Sequence, residues 1–231
     1  MKIIKAGYEI QTDISEDGIK ELQAIERAAR TCYKSEDKIT EDGESAKKMV
    51  RGLIKSGHEA MLEHGGMTVK FIVDRGVSHE IVRHRLFSFA QESTRYCSYD
   101  KDKFGNEITV IEPCFWDHSL DENGNHADAR YNDWLAVCEA AEGYYIHMLG
   151  WGATPQEARS VLPNSLKTEI VVTGNWREWR HFLKLRSAPD AHPQIREVAI
   201  PLLNELHEKI PVLFDDIYDN VFQKKIKIKI D

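Results

Sequence analysis

A cluster of basic and hydroxyl side chains lies near the middle of this 231-residue chain. Residues 83–96 read RHRLFSFAQESTRY and contain three arginines, a histidine and two serines. Guanidinium groups are permanently charged forks that match phosphate or carboxylate oxygens in pairs, and serine hydroxyls add further hydrogen bonds. Arg83 and Arg85 lie two apart, as do Ser93 and Arg95, so each pair would share one face of an extended backbone. The pattern indicates a loop that binds an anion.

The apolar residues inside this cluster leave an alternative open. Leu86, Phe87 and Phe89 tend to draw the segment towards the core. Buried guanidinium groups need partners, so an internal network of salt bridges explains the arginines about as well as an anion site does.

A second group of such residues lies in the C-terminal half. Arg159 follows a predicted helix start, and Asn175, Arg177, His181 and Arg186 lie at or within the next predicted helix. Arg177 and His181 are four apart and share a helical face. Considered singly, these helices could simply be basic and exposed. Because the sequence has no GxGxxG or Walker loop, the phosphates of a bound nucleotide would need arginine side chains.

The segment HEAMLEH at residues 58–64 suggests a zinc protease but does not fit one. That motif needs two histidines four apart on one helical face. His58 and His64 are six apart, roughly 240° around a helix. We reject the metalloprotease and predict no metal site.

Composition restricts the class of protein. With 42% hydrophobic and 30% charged residues the chain is typical of a globular protein, and its net charge of -7 argues against a general nucleic-acid surface. We predict neither a secretory signal nor a membrane span, and therefore a cytoplasmic protein without membrane or nucleic-acid partners. The scattered cysteines are expected to be reduced, namely Cys32, Cys97, Cys114 and Cys138.

Hydrophobic periodicity predicts strands and helices that would position both groups. In the N-terminal half we expect a strand in KIIKAGYEI, helices over residues 19–32 and 44–57, a strand over residues 67–73, and a helix through Val77 and Ile81 that leads into the arginine cluster, which then continues as a loop. In the C-terminal half we expect a helix over residues 127–148, a capped helix start at Thr154 and a strand in KTEIVVTG. A helix capped by Asn175, with Glu178 in a capping box, should follow. The chain should end with a helical region over residues 192–214, kinked or broken at Pro201 and Pro211, and an edge strand in KKIKIKID. Residues 99–125 are expected to be irregular or an insertion.

Six residues of the cluster match the pattern RHRxxSxxxxSxR at every fixed position: Arg83, His84, Arg85, Ser88, Ser93 and Arg95. In this the chain resembles the flavin-dependent thymidylate synthases. Other segments agree in the same order: RAARTCY at 27–33, GHEAMLEH at 57–64, EARSVLP at 157–163, and NWREWRHFLKLR with the following AHPQIRE. The resemblance spans nearly the whole chain except residues 99–125. It implies a single α+β domain over residues 1–231, with a mixed or antiparallel sheet flanked by helices, of the thymidylate synthase-complementing protein type.

The resemblance also implies a reaction and an assembly. The family makes dTMP from dUMP with FAD as cofactor and NADPH and methylenetetrahydrofolate as cosubstrates, and it works as a homotetramer with active sites between subunits. All these ligands bring anions to one place, which accounts for the arginines. Reduced flavin would deliver hydride to the pyrimidine, without an enzyme nucleophile. Ser93 has no evident base to activate it, and phosphate binding accounts for it.

Site residues follow from the same resemblance. Arg186 would favour ionisation at N3 of the uracil ring, and His58 would lie near flavin and folate, so these two are the expected catalytic residues. Arg159 would reach dUMP from another subunit. The expected dUMP site comprises Glu80, Ile81, Val82, Arg83, Gln91, Glu92, Ser93, Thr94, Arg95, Arg159 and Arg186. The expected FAD site comprises Ala60, Arg83, His84, Arg85, Gln91, Asn175, Trp176, Arg177 and His181.

The chain departs from the family pattern at six positions. Ala90 replaces a polar residue, Gln91 a glutamate, Glu80 a glutamine and His181 an asparagine of some members, while Cys32 and Ala60 replace hydroxyl residues that can line the flavin site. These departures concern individual contacts and leave the expected reaction unchanged. The alternatives are a non-catalytic nucleotide- or flavin-binding module and an RNA-binding protein, and the acidic net charge argues against the second.

Overall fold

The computed structural model describes residues 1–101, 105–124 and 126–222. The chain divides into two compact units. The first unit contains Met1–Gly7, Phe71–Arg83 and Ala90–Ile170, and the second contains Tyr8–Lys70, His84–Phe89 and Val171–Asp231. The expectation of a single domain over residues 1–231 stays a prediction.

The chain forms eight α-helices and six strands within the described residues. The helices are α1 (Ile19–Tyr33), α2 (Glu44–Ser56), α3 (Arg75–Ile81), α4 (Ala129–Gly150), α5 (Pro155–Ala158), α6 (Trp176–Arg186), α7 (Pro193–Lys209) and α8 (Pro211–Phe222). The strands are β1 (Lys2–Ile4), β2 (Gly7–Ile10), β3 (Gly66–Asp74), β4 (Ser88–Gln91), β5 (Thr109–Ile111) and β6 (Lys167–Asn175). The mixture of helices and strands confirms the predicted α+β class.

Two sheets organise the strands. Strand β1 pairs in parallel with β5, with Lys2 opposite Thr109 and Ile4 opposite Ile111. The other sheet has four strands in the order β2-β3-β6-β4. The neighbouring strands β6 and β4 carry or adjoin most of the predicted site residues of both halves of the sequence.

The first unit has a core around α4. Its buried residues include Tyr99, Ile108, Val110 and Tyr145. Cys138, expected to be a reduced structural thiol, lies in the same core, and all four cysteines are free. Burial raises the pKa of the Cys138 thiol to about 11, so the thiol stays protonated at neutral pH.

The second unit is built on amphipathic helices. Helix α1 buries Leu22, Ile25 and Ala29 at helical intervals, as the sequence predicts. Helix α2 ends at Gly57, whose φ of 73° provides the left-handed cap that favours glycine. Trp176 and Trp179 of α6 are fully buried, so this helix is anchored by its aromatic face.

Several predicted elements differ from the structure. The segment KIIKAGYEI forms two strands in different sheets, because β1 finds a partner in β5 while β2 joins β3. The arginine cluster does not continue only as a loop, since residues 88–91 form β4. Residues 99–125 are not wholly irregular, because Thr109–Ile111 pairs with β1. All three errors arise from long-range strand pairing.

The C-terminal helices are also only partly as expected. Helix α7 continues through Pro201, and the chain breaks before Pro211, where α8 begins and extends to Phe222. The predicted edge strand in KKIKIKID lies outside the described residues. None of the described helices combines the length and apolar character needed to cross a bilayer.

Candidate active site

The loop after β4 carries the predicted dUMP contacts of the first unit. Gln91 is fixed at its start, because its Nε2 donates to Ser78 Oγ at 3.0 Å and to Thr168 Oγ1 at 3.2 Å. Arg75 lies beside it, with Nη1 3.4 Å from both Thr168 Oγ1 and the carbonyl oxygen of Glu92. Helix α3 and strand β6 thus fix the position where the loop begins.

The loop itself turns tightly at Ser93. Its carbonyl oxygen accepts hydrogen bonds from the backbone N–H groups of Tyr96, at 3.1 Å, and Cys97, at 2.9 Å. Thr94 is buried, whereas Arg95 is exposed with its guanidinium 5.4 Å from the centre of the Tyr96 ring. The turn therefore presents a guanidinium group to solvent.

Arg159 reaches this loop from 65 positions further along the chain. Its Nη1 donates to Thr94 Oγ1 at 3.4 Å, within the same chain. The predicted capping box is present and fixes the helix that precedes Arg159, since the Glu157 carboxylate accepts from Thr154 N and Oγ1 at 2.7 and 2.6 Å. The contribution of Arg159 from another subunit stays a prediction. Its intrachain contact with Thr94 is what the structure shows.

The end of α3 supplies the remaining predicted dUMP contacts of this unit. Glu80 is partly exposed, and Val82 and Arg83 are exposed. Ile81 is fully buried, so its side chain belongs to the core and only its backbone is open to a ligand role. Glu92, also predicted here, binds Lys167 and Tyr99 instead of facing solvent.

The exposed arginines decide between an anion site and an internal salt-bridge network. Arg83, Arg85 and Arg95 are all exposed, and no carboxylate of the described residues lies within 4.0 Å of their nitrogens. Phe87 provides the inward pull instead, packing 4.5 Å from Trp179 between ring centroids. Phe87 is buried while the arginine side chains stay exposed and can contact a ligand, which favours the anion site.

In the second unit, a hydrogen-bonded chain joins Arg186, His84 and Glu178. Arg186 Nε lies 3.1 Å from His84 Nε2, and His84 Nδ1 lies 3.3 Å from Glu178 Oε1. Because a guanidinium N–H can only donate, Nε2 of His84 must accept, which places the imidazole proton on Nδ1, facing the carboxylate. The imidazole of His84 is therefore neutral, and in this form it accepts the hydrogen bond that holds Arg186 in place.

Electrostatics agree with this assignment. Burial, followed by the charges of Arg186 and His181, lowers the pKa of His84 to about 4. Burial raises the pKa of Glu178 above its usual value. His84 and Glu178 are each 5% exposed, so this pair is part of the interior and not a surface ion pair.

A cavity of about 980 Å³ opens beside this chain of residues. Its wall includes the basic side chains of Arg177, Arg180 and Lys184, the imidazole of His181, and the carboxylates of Glu59, Glu178 and Asp216. Arg177 and His181 share one face of α6, as their spacing predicts. Arg177 Nη1 already binds Glu63 Oε1 at 2.7 Å, so a bound anion would compete with this carboxylate.

Arg180 forms another part of the cavity wall. Its guanidinium donates to Asp216 at 2.8 Å through each of its terminal nitrogens, and also to the carbonyl oxygen of Leu213. Its Nε is buried and has no partner among the described residues. A buried donor without a partner among the described residues, placed in a cavity wall, fits a site that takes a ligand with hydrogen-bond acceptors.

The other predicted flavin residues of this unit play different parts. Asn175 caps α6 by accepting from Glu178 N at 2.9 Å, and Trp176 is 1% exposed, so its indole is a core group. In the segment His84–Phe89 of this unit, His84 is buried and Arg85 is exposed. His58 is exposed and lines a separate cavity of about 630 Å³ together with Arg30 and Lys48, and Ala60 lies two residues further on.

His84, Glu178 and His181 have ligand atoms within 4.8 Å of one another, a spacing at which three side chains can hold a metal ion. However, both ring nitrogens of His84 already take part in hydrogen bonds, one of them from a guanidinium. A positive neighbour at this distance opposes a bound cation. The arrangement positions Arg186 and is a poor metal centre.

The sequence interpretation missed several residues that position the site. Glu178 was expected in a capping box with Asn175, yet its carboxylate faces His84. Arg75, Thr168 and Lys167 hold the loop but carry no motif. The one signal for Glu178 is its acidic character in a helix that is otherwise basic at polar positions.

The sequence model of the family described as thymidylate synthase complementing protein matches residues 17–212. A protein of Corynebacterium aurimucosum named flavin-dependent thymidylate synthase is 36% identical over 212 residues, covering 88% of this chain and 83% of that protein. One of Mycobacterium tuberculosis with the same name is 36% identical, covering 83% of this chain and 78% of that protein.

Solved structures agree in fold. The UMP/dUMP methylase PolB from Streptomyces cacaoi, bound with 5-Br dUMP, superposes with a TM-score of 0.72 at 26% identity, covering 93% of this chain and 96% of that one. Fold and site thus define an α+β protein with exposed arginines in and around the loop that follows β4. The chain belongs to the thymidylate synthase complementing protein family, which is the family of the flavin-dependent thymidylate synthases.

Proposed function

We propose that the protein is a flavin-dependent thymidylate synthase that makes dTMP from dUMP. The family match over residues 17–212 and the names of relatives at 36% identity support this activity. Among solved structures, the likeness to a UMP/dUMP methylase at 26% identity supports a pyrimidine nucleotide as the substrate.

The observation that carries the proposal is the meeting of Arg159 with the loop at Thr94. The contact of 3.4 Å places one exposed guanidinium beside a turn that carries Ser93 and a second exposed guanidinium, that of Arg95. The two guanidinium groups and the hydroxyls of Ser93 and Thr94 can donate hydrogen bonds to the oxygens of a phosphate monoester. We assign the phosphate of dUMP to this place.

The second unit would hold FAD. Arg177 and His181 line the large cavity, and the buried Nε of Arg180 adds a donor to its wall that has no partner among the described residues. Arg85 is exposed in the same unit. His84 and Asn175 would support the site indirectly, because they hold Arg186 and cap α6. The residues present therefore fit an anionic, acceptor-rich cofactor. When bound, FAD supplies the hydride that completes the methyl group of dTMP.

Arg186 would act on the pyrimidine ring. Its charge is permanent, and a guanidinium close to the ring favours ionisation at N3. His84 accepts from Arg186 Nε at 3.1 Å, which fixes the orientation of the planar guanidinium group. His84 and Glu178 thus orient the group that polarises the substrate.

NADPH as reductant, methylenetetrahydrofolate as one-carbon donor and a homotetramer complete the proposal. The second cavity beside His58 is lined by Arg30, Lys38 and Lys48 and would supply positive charge for the phosphates of NADPH or the carboxylates of folate. Active sites shared between subunits would explain why the predicted residues are divided between the two units of the chain.

The test is dTMP formation by the purified protein. We expect dTMP from dUMP, methylenetetrahydrofolate, NADPH and FAD, and a higher KM for dUMP in Arg159→Ala by roughly tenfold or more, because a charge-assisted contact is lost. Arg130→Ala is the matched control, since Arg130 is 70% exposed and pairs only locally with Asp128.

UMP is tested beside dUMP, because the structural relative acts on both by its name. Turnover of dUMP but not of UMP would agree with a thymidylate synthase. If neither nucleotide is methylated while FAD is bound, the protein is a non-catalytic nucleotide- or flavin-binding module and the proposal fails.

A further inference from the structure

The carboxylate of Glu92 lies at the base of the loop formed by residues 93–98, which we call the anion loop. Its side chain is 12% exposed, although it adjoins the exposed Arg95 in sequence. Glu92 Oε2 lies 3.0 Å from Lys167 Nζ and accepts from the backbone N–H of Glu169 at 3.3 Å. Together with the bond from Glu92 N to Glu169 O at 2.9 Å, these contacts fix the start of the anion loop to β6.

The same carboxylate also holds the end of the anion loop. Tyr99, seven positions after Glu92, donates its hydroxyl to Glu92 Oε1 at 3.1 Å. Tyr99 is 4% exposed, and its backbone N–H donates to Tyr145 Oη of α4 at 3.3 Å. One side chain therefore joins the two ends of a six-residue turn.

Charge and protonation suit this arrangement. Burial would lower the pKa of Lys167, but its hydrogen bonds to Glu92 and Glu169 raise it above the usual value, so Lys167 stays a cation. Burial, and then the neighbouring Glu92 charge, raise the pKa of Tyr99, so its hydroxyl remains a donor. The negative charge of Glu92 is thus matched by the positive charge of Lys167.

We propose that Glu92 is a positioning residue that clamps the anion loop through Tyr99 and Lys167 and thereby presents Ser93, Thr94 and Arg95 to the phosphate of the substrate. The clamp holds the loop in its bound shape before the nucleotide arrives, which reduces the entropy cost of binding. It also keeps a carboxylate from repelling the phosphate. The identity of the ligand in this inference rests on the proposed function. The ordering of the loop by the clamp does not depend on that function.

The first variant is Tyr99→Phe, which keeps the ring and removes only the hydroxyl that reaches Glu92. Tyr131→Phe is the matched control, because Tyr131 is 2% exposed and donates to Glu112 Oε1 at 3.0 Å in the same unit, outside the anion loop. For Tyr99→Phe we expect a KM for dUMP higher by about tenfold, as for loss of a hydrogen bond to a charged group, with kcat nearly unchanged. Tyr131→Phe leaves KM unchanged.

Hydrogen exchange of residues 93–98 in the absence of any ligand gives the second measurement. The clamp predicts faster amide exchange in Tyr99→Phe than in the wild type and in Tyr131→Phe. Glu92→Gln, which keeps an acceptor oxygen but loses the charge, should show a smaller change in exchange than Tyr99→Phe and a correspondingly smaller increase in KM.

Two results would overturn the proposal. Unchanged exchange and unchanged KM in Tyr99→Phe would show that the hydroxyl contact orders nothing. A large loss of dUMP binding in Glu92→Gln with no effect of Tyr99→Phe would show that Glu92 contacts the nucleotide directly. If the wild type binds no dUMP, the proposed function fails, whereas the exchange comparison still decides whether the clamp orders the loop.

Discussion

At the scale of single residues, buried ionisable groups decide how the protein responds to pH. His84 accepts from Arg186 and faces Glu178, and burial with the nearby charges lowers its pKa to about 4 from the usual 6.5. Between pH 6.5 and pH 4, the imidazole of His84 is protonated in the unfolded chain but stays neutral in the folded chain. The contribution of neutral His84 to stability is therefore present above pH 6.5 and is lost as the pH falls towards 4.

We predict that the free energy of unfolding decreases by up to roughly 3 kcal/mol from pH 6.5 to pH 4 through His84 alone. The raised pKa of Glu178 acts with the opposite sign, so the effect is read as the difference between wild type and His84→Gln in urea unfolding at several pH values. His79→Gln, at an exposed position, is the control and should keep the wild-type slope. Identical slopes in the wild type and His84→Gln would contradict the assignment.

Arg186 is the residue on which the proposed chemistry depends. We predict that Arg186→Lys reduces kcat by about 100-fold while the KM for dUMP changes little, because a lysine ammonium cannot both donate to His84 and face the ring with a planar fork. Steady-state kinetics with dUMP as the varied substrate measure both constants. Arg130→Lys should behave as wild type. Wild-type turnover in Arg186→Lys would remove Arg186 from the mechanism.

Individual site residues were predictable where type and spacing carry information. Arg83, Arg85, Arg95 and Arg159 were found in this way, and the structure leaves all four exposed. The residues that hold the loop, such as Thr168 and Lys167, were not predicted. The hydrogen bond between Gln91 and Thr168 joins residues 77 positions apart and leaves no periodic pattern in the sequence. The roles of Trp176 and Ile81 were equally hidden, since burial depends on packing.

At the scale of elements, β3 approaches β6 closely at the point where β6 ends and α6 begins. A Cβ added at Gly66 would overlap the carbonyl oxygen of Gly174 and lie 2.8 Å from Asn175 Cα. Both obstacles are backbone atoms of β6, immediately before α6. Glycine at this position thus allows β3 to pass the residues that cap α6 and orient its first turn.

We predict that Gly66→Ala destabilises the protein by about 3 kcal/mol, because the strands must separate to admit a methyl group. Gly52→Ala is the matched control. Gly52 lies within α2 with no atom within 4 Å of an added Cβ, so alanine there should stabilise by roughly 0.5–1 kcal/mol. Urea unfolding compares the two, and equal stability of the two variants would refute the close-approach argument.

Helices were easier to predict than strands. Helices α1, α2 and α6 follow the 3.6-residue periodicity of their own sequence, and α4 and α6 begin at the side-chain caps Asp128 and Asn175. Strands β4 and β5 are three or four residues long, and they exist because a distant strand supplies hydrogen-bonding partners. Local sequence does not contain that information.

At the scale of the whole molecule, the predicted site residues are divided between the two units. Arg159 belongs to the first unit and Arg186 to the second. A homotetramer with shared active sites predicts that Arg159→Ala and Arg186→Ala subunits complement each other. When the two variants are unfolded together and refolded, activity at a low dUMP concentration should exceed the mean of the two variants refolded alone, because some mixed sites then contain both arginines. No such excess in the mixture would mean that each site takes both arginines from one chain.

The most direct measurement of the central claim is dTMP formation with and without FAD. The protein is stripped of flavin and supplied with dUMP, methylenetetrahydrofolate and NADPH. We predict no dTMP until FAD is added, and turnover after its addition. dTMP formed at the same rate without FAD, or none formed with FAD bound, would contradict flavin-dependent synthesis of thymidylate.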